Sequence, residues 1–181
     1  MKGLPNTDFN DRYTLSLPRL KSCGCGVDDL KPVIYTNQKH RELVDRFGLY
    51  LFREQGYDFP LTLGGSSKTG KAYFFIGGAL CFTTVQPIGV VVFDKPFNNT
   101  PKDWSLEWVW IHPFERGNGV LSRAWPGFKK EFGDFYIQPP LSWGMRAFLA
   151  AQERKAAEAA VIEAAIKGFG DRGASDAEPS H

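Results

Sequence analysis

The stretch WSLEWVWIHPFERGNGVLSRAWPGFKKEF, residues 104 to 132, decides the fold. Its first part, Leu106 to Ile111, is apolar and predicts a β-strand with Trp108 and Trp110 on one face. A basic, glycine-rich turn follows the strand, and apolar residues then recur at the spacing of a helix. The predicted buried face of this helix consists of Val120, Leu121, Ala124, Trp125 and Phe128.

The turn between the predicted strand and helix has the composition of an anion site. Arg116-Gly117-Asn118-Gly119 leads into the N-terminus of the helix, where free backbone N–H groups and the positive end of the helix dipole converge. Glycine lets a ligand approach these amides because it has no Cβ. The turn therefore predicts a site for a phosphate or pyrophosphate, with the side chain of Arg116 adding positive charge. An ordinary strand-to-helix turn with a solvated arginine is the alternative.

The segment WVWIHPFERGNGVL, residues 108 to 121, resembles the acyl-CoA-binding signature of the GNAT-type N-acyltransferases. That signature is a strand ending in Pro, then Arg or Gln, two residues, Gly, one residue, and Gly or Ala. Arg116 and Gly119 match it, and Leu121 departs from it because the family has a small residue there. Between residues 70 and 150 the chain is also loosely similar to the cohesin-type protein-lysine acetyltransferases. The segments that carry this similarity are KAYFFIGG, GVVVFD, WVWI, RGNGVLSRAW and PPLSWGMRAFLA, in that order.

The resemblance implies an α+β fold in which helices flank a GNAT-like, mixed and mostly antiparallel central sheet. In this family the acyl-CoA strand and the next strand splay apart around the pantetheine, and Pro139-Pro140 suits such a splay. Acetyl-CoA is the implied co-substrate, and an amine on a protein lysine or a small molecule is the implied acceptor. The implied acetyl-CoA contacts are Ile111, His112, Arg116, Gly117, Asn118, Gly119, Val120 and Leu121.

Three side chains are candidates for the acid–base chemistry of acyl transfer. Glu107 on the acyl-CoA strand is the candidate general base, with water as an optional intermediary; a solvated strand residue is the alternative. Tyr136 and Ser142 are candidate acids because the resembled family places a hydroxyl near the sulfur; Tyr136 in the core is the alternative. Gln138 and Pro139 stand where the cohesin-type enzymes carry a Ser-Asp pair, so the catalytic assignment of that subfamily does not transfer.

The patterns predict one helix and one strand pair before the acyl-CoA strand. Asn37 is a suitable N-cap and Gly56 a suitable stop for a helix over residues 37–55. Residues 72–82 and 88–93 are strand-like, and a turn at 83–87 would join them as an antiparallel pair.

The chain divides into four predicted segments. The C-terminal alanine-rich helix has a weak apolar face, which predicts that it packs weakly or against a partner helix; the second case would form a homodimer through this helix. The segments are an irregular N-terminal lead-in (1–36), a GNAT-like acyltransferase domain (37–150), the C-terminal alanine-rich helix (151–168) and a disordered tail (169–181).

Composition limits the function classes. A chain of 181 residues with 43% hydrophobic and 14% aromatic residues is long enough for one globular domain with a substantial core. The net charge is +2 and the basic residues are scattered, so nothing favours a nucleic-acid partner. No apolar run has the length of a membrane span, and the N-terminus MKGLPNTDF lacks an apolar signal core. These features predict a cytoplasmic protein with no membrane partner.

The cysteines and histidines give no assigned metal site. Three cysteines do not make a disulfide framework, which favours a reducing compartment. Cys23 and Cys25 could begin a zinc site, and the cohesin-type enzymes carry a zinc finger before the fold, but the spacing and number of ligands favour a turn with two reduced thiols. His40 is predicted on the polar, exposed side of its helix.

The residues and the resemblance leave three candidate functions. The favoured one is an active acetyl-CoA-dependent N-acetyltransferase. The second is a non-catalytic CoA-binding or interaction module with a GNAT-like fold, which the departure at Leu121 favours. The third is an adaptor that self-associates through the C-terminal helix, with the glycine turn serving the fold alone.

Overall fold

The chain folds as two compact units, Met1–Gln138 and Pro139–His181. The predicted Cys23–Cys25 turn and residues 173–181 of the predicted tail lie outside the described residues. The computed structural model describes residues 20–21, 30–57, 61, 70–81, 84–96 and 102–172.

Among the described residues, the first unit has two helices, a short 3-10 helix and a sheet, and the second has one helix. The strands are β1 (Leu20–Lys21), β2 (Leu30–Pro32), β3 (Lys71–Cys81), β4 (Thr84–Asp94), β5 (Ser105–Ile111) and β6 (Tyr136–Ile137). The helices are α1 (Gln38–Gln55), α2 (Val120–Phe132) and, in the second unit, α3 (Trp143–Arg172), with the 3-10 helix at Pro113–Glu115.

The sheet confirms the predicted α+β class and its mixed, mostly antiparallel strands. Five strands follow the order β2-β3-β4-β5-β6, and the two-residue β1 pairs with the start of β4. Every pair is antiparallel except β5 with β6, which run parallel with α2 connecting them. The chain thus passes from β5 through the glycine turn and α2 into a neighbouring parallel strand.

One face of the sheet packs against α1. The indole of Trp110 is 1% exposed and stacks on Phe47 of α1, with ring centroids 5.1 Å apart. Trp108 belongs to the same core, which confirms that both tryptophans lie on one face of β5. Leu43, Val44 and Leu51 complete the helix side of this core.

The opposite face of the sheet packs against α2. Phe93 on β4 stacks on Phe132 at 4.1 Å between ring centroids, and Phe128 contacts both Phe93 and Phe75. Successive residues of a strand point to opposite faces, so Phe74 lies in the α1 core while Phe75 faces α2. The sheet therefore holds α1 and α2 in fixed positions on its two sides.

Helix α1 has the predicted ends, but one histidine is placed differently. The Asn37 side chain accepts hydrogen bonds from the first helical amides, and Gly56 ends the helix in the left-handed conformation. His40 was predicted at the surface and is instead 4% exposed, so that prediction is wrong. Its Nδ1 accepts a hydrogen bond from the Ile34 N–H at 2.9 Å, and its ring packs edge-on against Phe74. The hydrogen bond from Ile34, which lies outside the helix, thus allows a polar residue to be buried at this position.

The buried His40 should make stability fall in mild acid. Burial lowers the pKa of His40, and the nearby Lys31 charge lowers it further. Below about pH 6.5 the unfolded chain binds a proton that the folded protein resists, so the free energy of unfolding falls by up to about 1.4 kcal/mol per pH unit until the folded pKa is reached. His40→Asn keeps an acceptor near Nδ1 without the titration. Urea unfolding from pH 7.5 to 5 should show a flatter profile for the variant; an equally steep profile would contradict the assignment.

Two predicted boundaries differ in the first unit. The predicted turn at 83–87 is wrong from residue 84 onward, because β4 begins at Thr84 and includes Pro87. Pro87 fits within a strand because the β3–β4 register shifts beside it, and proline is tolerated at such irregularities. The predicted irregular lead-in, residues 1–36, contains the short strands β1 and β2. Strands of two or three residues are too short to give a recognisable pattern in a sequence.

Among its described residues, the second unit has one helix, which ends later than predicted. Helix α3 runs without a break from Trp143 to Arg172, across the predicted boundary at 150 and into the first residues of the predicted tail. Residues 153–164 are all exposed, including Val161 at 70% and Ile162 at 60%. Within the described chain, no helix is long and apolar enough to span a membrane.

Candidate functional site

The turn before α2 has the backbone geometry of an anion site. Gly117 and Gly119 have φ angles of 80° and 74°, a left-handed conformation that strongly favours glycine. Gly119 is the N-cap of α2, and no side chain caps this helix end. Because an α-helix leaves its first four N–H groups without intrahelical partners, the amides of residues 119–122 remain donors for an external acceptor.

Side chains from both sides of the turn hold its shape. Asn118 Nδ2 donates to the Phe114 carbonyl at 3.3 Å, and Arg123 Nη1 donates to the Asn118 carbonyl at 2.7 Å. Leu121 is half-buried in the first turn of α2. The turn is thus fixed through its own backbone carbonyls.

The guanidinium of Arg116 is engaged by other parts of the protein. Its two terminal nitrogens donate to the two carboxylate oxygens of Glu54, with Nη2 to Oε2 at 2.7 Å. Its Nε donates to the Ile111 carbonyl at 2.8 Å. Glu54 is 18% exposed and also accepts from the Trp110 indole at 3.2 Å. Arg116, which was predicted to contact the pyrophosphate, therefore forms a bidentate ion pair with Glu54 in the last turn of α1.

Near the end of β5, the edge that faces away from β4 carries the backbone amides of Val109 and Ile111. The His112 N–H donates to the Ile88 carbonyl on the β4 side at 2.8 Å, so the predicted His112 contact does not have a free amide to use. Backbone groups alternate between the two edges of a strand, so the amides of Val109 and Ile111 point to the other edge. There β6 pairs only with Ser105 and Leu106, within the part of the chain that the structure describes.

Glu107 occupies an irregularity in β5. Val92 pairs with Trp108 and Phe93 pairs with Leu106, which leaves Glu107 as the extra residue of a β-bulge. Burial raises the pKa of the Glu107 carboxyl; the nearby Ser105 hydroxyl opposes this shift and the Asp94 charge adds to it. A half-buried carboxyl with a raised pKa is a better proton acceptor than a solvated one, as a general base requires.

The two predicted acids have different surroundings. Tyr136 is half-buried on β6 and pairs with Ser105 at the start of β5. Ser105 is two residues before Glu107 in the sequence. Ser142 belongs to the second unit, where its Oγ accepts from the Met145 N–H at 3.2 Å and so caps the N-terminus of α3.

Glu54 is the site residue that the sequence did not reveal. It stands 62 positions before Arg116, and no motif in the sequence marks it. Its position in the last turn of α1 is unfavourable for a carboxylate because the helix end is itself negative. That mismatch is the one signal in the sequence that Glu54 needs a cationic partner.

No metal site is found among the described residues. Within them, no group of three or more histidine, cysteine, aspartate or glutamate side chains is arranged to hold an ion. Cys23 and Cys25 lie outside this part of the chain, so the zinc alternative stays a prediction.

Comparison with known proteins gives no relative. No family model, no curated protein and no solved structure matches the chain.

Proposed function

We propose that the protein is an acetyl-CoA-dependent N-acetyltransferase. The observation that carries the proposal is the β5–turn–α2–β6 connection, in which two left-handed glycines place an uncapped helix N-terminus at the end of a strand. This geometry suits a pyrophosphate because it supplies several amide donors and the positive end of a helix dipole. In the resembled acyltransferases the same order of elements binds acyl-CoA.

Acetyl-CoA would bind along the turn and along the edge of β5 that faces away from β4. The amides from Gly117 to Leu121 would hold the pyrophosphate. The pantetheine would then run along the edge of β5 beyond Leu106, where the parallel pairing with β6 stops. We propose that the two strands splay here, since prolines follow β6 and cannot donate to a sheet ladder. The Ile111 amide on that edge would polarise the thioester carbonyl.

The proposed reaction is direct transfer of the acetyl group. The amine nitrogen attacks the thioester carbonyl carbon and the C–S bond breaks. Glu107 takes the proton that the amine loses, with water as an optional intermediary. The CoA sulfur leaves as a thiolate and takes a proton from the hydroxyl of Tyr136, which regains a proton from solvent while Glu107 releases its own. The acceptor is an amine on a protein lysine or a small molecule.

A non-catalytic CoA-binding module is the second candidate. One observation favours it: the hydroxyl of Ser142 already serves as a helix cap. The raised pKa of Glu107 in its bulge supports the acetyltransferase, because a binding module would not need such a base. Self-association through the exposed part of α3 stays a prediction and is compatible with either function.

Turnover separates the two candidates. Purified protein should transfer the acetyl group of isotope-labelled acetyl-CoA to at least one member of a panel of polyamines, amino sugars, aminoglycosides and lysine peptides. Each product should carry one acetyl group by mass spectrometry, and release of free CoA should match product formation. Heat-unfolded protein is the control for chemical acetylation. Tight acetyl-CoA binding with no acetylated product across the panel would favour the binding module.

A further inference from the structure

Each of the three guanidinium nitrogens of Arg116 already donates one hydrogen bond within the protein. Nη1 and Nη2 contact the two oxygens of Glu54, and Nε contacts the Ile111 carbonyl. Arginine forms this fork with a carboxylate in the same geometry that it would use for a phosphate. Two of the five guanidinium N–H bonds stay outside these contacts, but the fork that would hold a phosphate by two parallel bonds is occupied by Glu54.

Glu54 is itself fixed to the core. The carboxylate accepts from the indole N–H of Trp110, which is fully buried and stacked on Phe47. Tyr50, one turn earlier on α1, packs on the same indole at 5.5 Å between ring centroids. The contacts thus run from the core through Trp110 and Glu54 to Arg116 at the start of the glycine turn.

We infer that Glu54 is a positioning residue of the anion turn and that Arg116 acts through Glu54, not as a ligand of the phosphate. The pair holds Arg116 at the end of β5, so that the following amides converge on one point. The positive charge that the phosphate meets then comes from the backbone, because the carboxylate neutralises the guanidinium. This inference rests on the proposed function, since it concerns the same acetyl-CoA site.

A double-mutant cycle tests the inference with CoA as the probe. The variants are Glu54→Gln, Arg116→Gln and the two together, with the dissociation constant of CoA measured by calorimetry on protein shown to be folded. Each single variant should weaken CoA binding about tenfold, the effect of losing one charged hydrogen-bonded pair. The double variant should be no weaker than either single one, because both changes remove the same contact.

Two further variants distinguish positioning from direct binding and from general destabilisation. Arg116→Lys keeps the charge but loses the fork, so it should weaken CoA binding as much as Arg116→Gln. Glu131→Gln is the matched control, because Glu131 pairs with Lys71 and also accepts from an aromatic side chain, Tyr73, at the other end of α2. Its CoA affinity should equal that of the wild type even where its melting temperature falls.

The outcomes that overturn the inference are distinct. If Arg116 binds the phosphate itself, Glu54→Gln will leave CoA binding unchanged or tighten it, and Arg116→Lys will retain affinity. If the effect is only instability, Glu131→Gln will weaken CoA binding as much as Glu54→Gln does. Absence of CoA binding by the folded wild type would overturn the proposed function and this inference with it. If the wild type binds CoA but the Glu54, Arg116 or Glu131 variants give one of the contrary results above, only this inference is overturned.

Discussion

Replacement of Gly119 by valine should lower the affinity for acetyl-CoA by at least about a hundredfold. Gly119 has a φ of 74°, and a β-branched residue in that conformation is strained by about 1–2 kcal/mol. Relief of the strain would rotate the first amides of α2 away from their common point. Loss of two amide bonds to a charged group, each contributing about 1.5–3 kcal/mol, accounts for the expected change in dissociation constant.

The chain offers a matched control for this substitution. Gly56 has a nearly identical φ of 68° at the end of α1, with open space around an added Cβ, so Gly56→Val introduces the same backbone strain outside the turn. Both variants should lose similar stability in thermal unfolding, and only Gly119→Val should lose acetyl-CoA affinity. Equal affinities for the two variants would show that the turn does not hold the ligand.

Glu107→Gln should lower kcat about 100- to 10,000-fold, the range expected when a general base is removed. Glutamine has the shape of glutamate but cannot take the proton from the amine. The residue lies in the bulge of β5 and outside the turn, so the KM for acetyl-CoA should change little. Stopped assays with the best acceptor would measure both constants. A kcat within a factor of a few of the wild type would exclude Glu107 as the base.

The pH profile gives a second test of Glu107. A base works in its ionised form, so activity falls as pH drops through its pKa, and burial sets this limb above the range of a solvated glutamate. Asp94 raises that pKa by its charge, so Asp94→Asn should move the acid limb of kcat to lower pH. An unmoved limb would indicate that another group, such as the amine itself, controls it.

The sequence predicted the elements whose signals are local. Helix α1 begins and ends where Asn37 and Gly56 satisfy its terminal backbone groups, because capping depends only on neighbouring residues. The alternation of Trp108 and Trp110 correctly predicted the buried face of β5. The strand, glycine turn and helix were also predictable, since the left-handed backbone at Gly117 and Gly119 strongly favours glycine.

The remaining features depend on distant contacts. The bulge at Glu107 arises because β4 skips that residue when it pairs with β5, and no property of β5 alone predicts the skip. The Glu54–Arg116 pair joins residues 62 positions apart, so neither residue reveals its partner. His40 is buried because the Ile34 amide reaches its ring. In each case tertiary packing overrides a local pattern.

The most direct test of the acetyl-CoA site is a calorimetric titration of the folded wild-type protein with acetyl-CoA, with desulfo-CoA and ATP as comparison ligands. The account predicts micromolar, one-to-one binding of acetyl-CoA and desulfo-CoA and much weaker binding of ATP, because the pantetheine edge of β5 contributes beside the phosphate turn. Folded protein that binds neither acetyl-CoA nor desulfo-CoA would contradict the account and leave the glycine turn with a purely structural role.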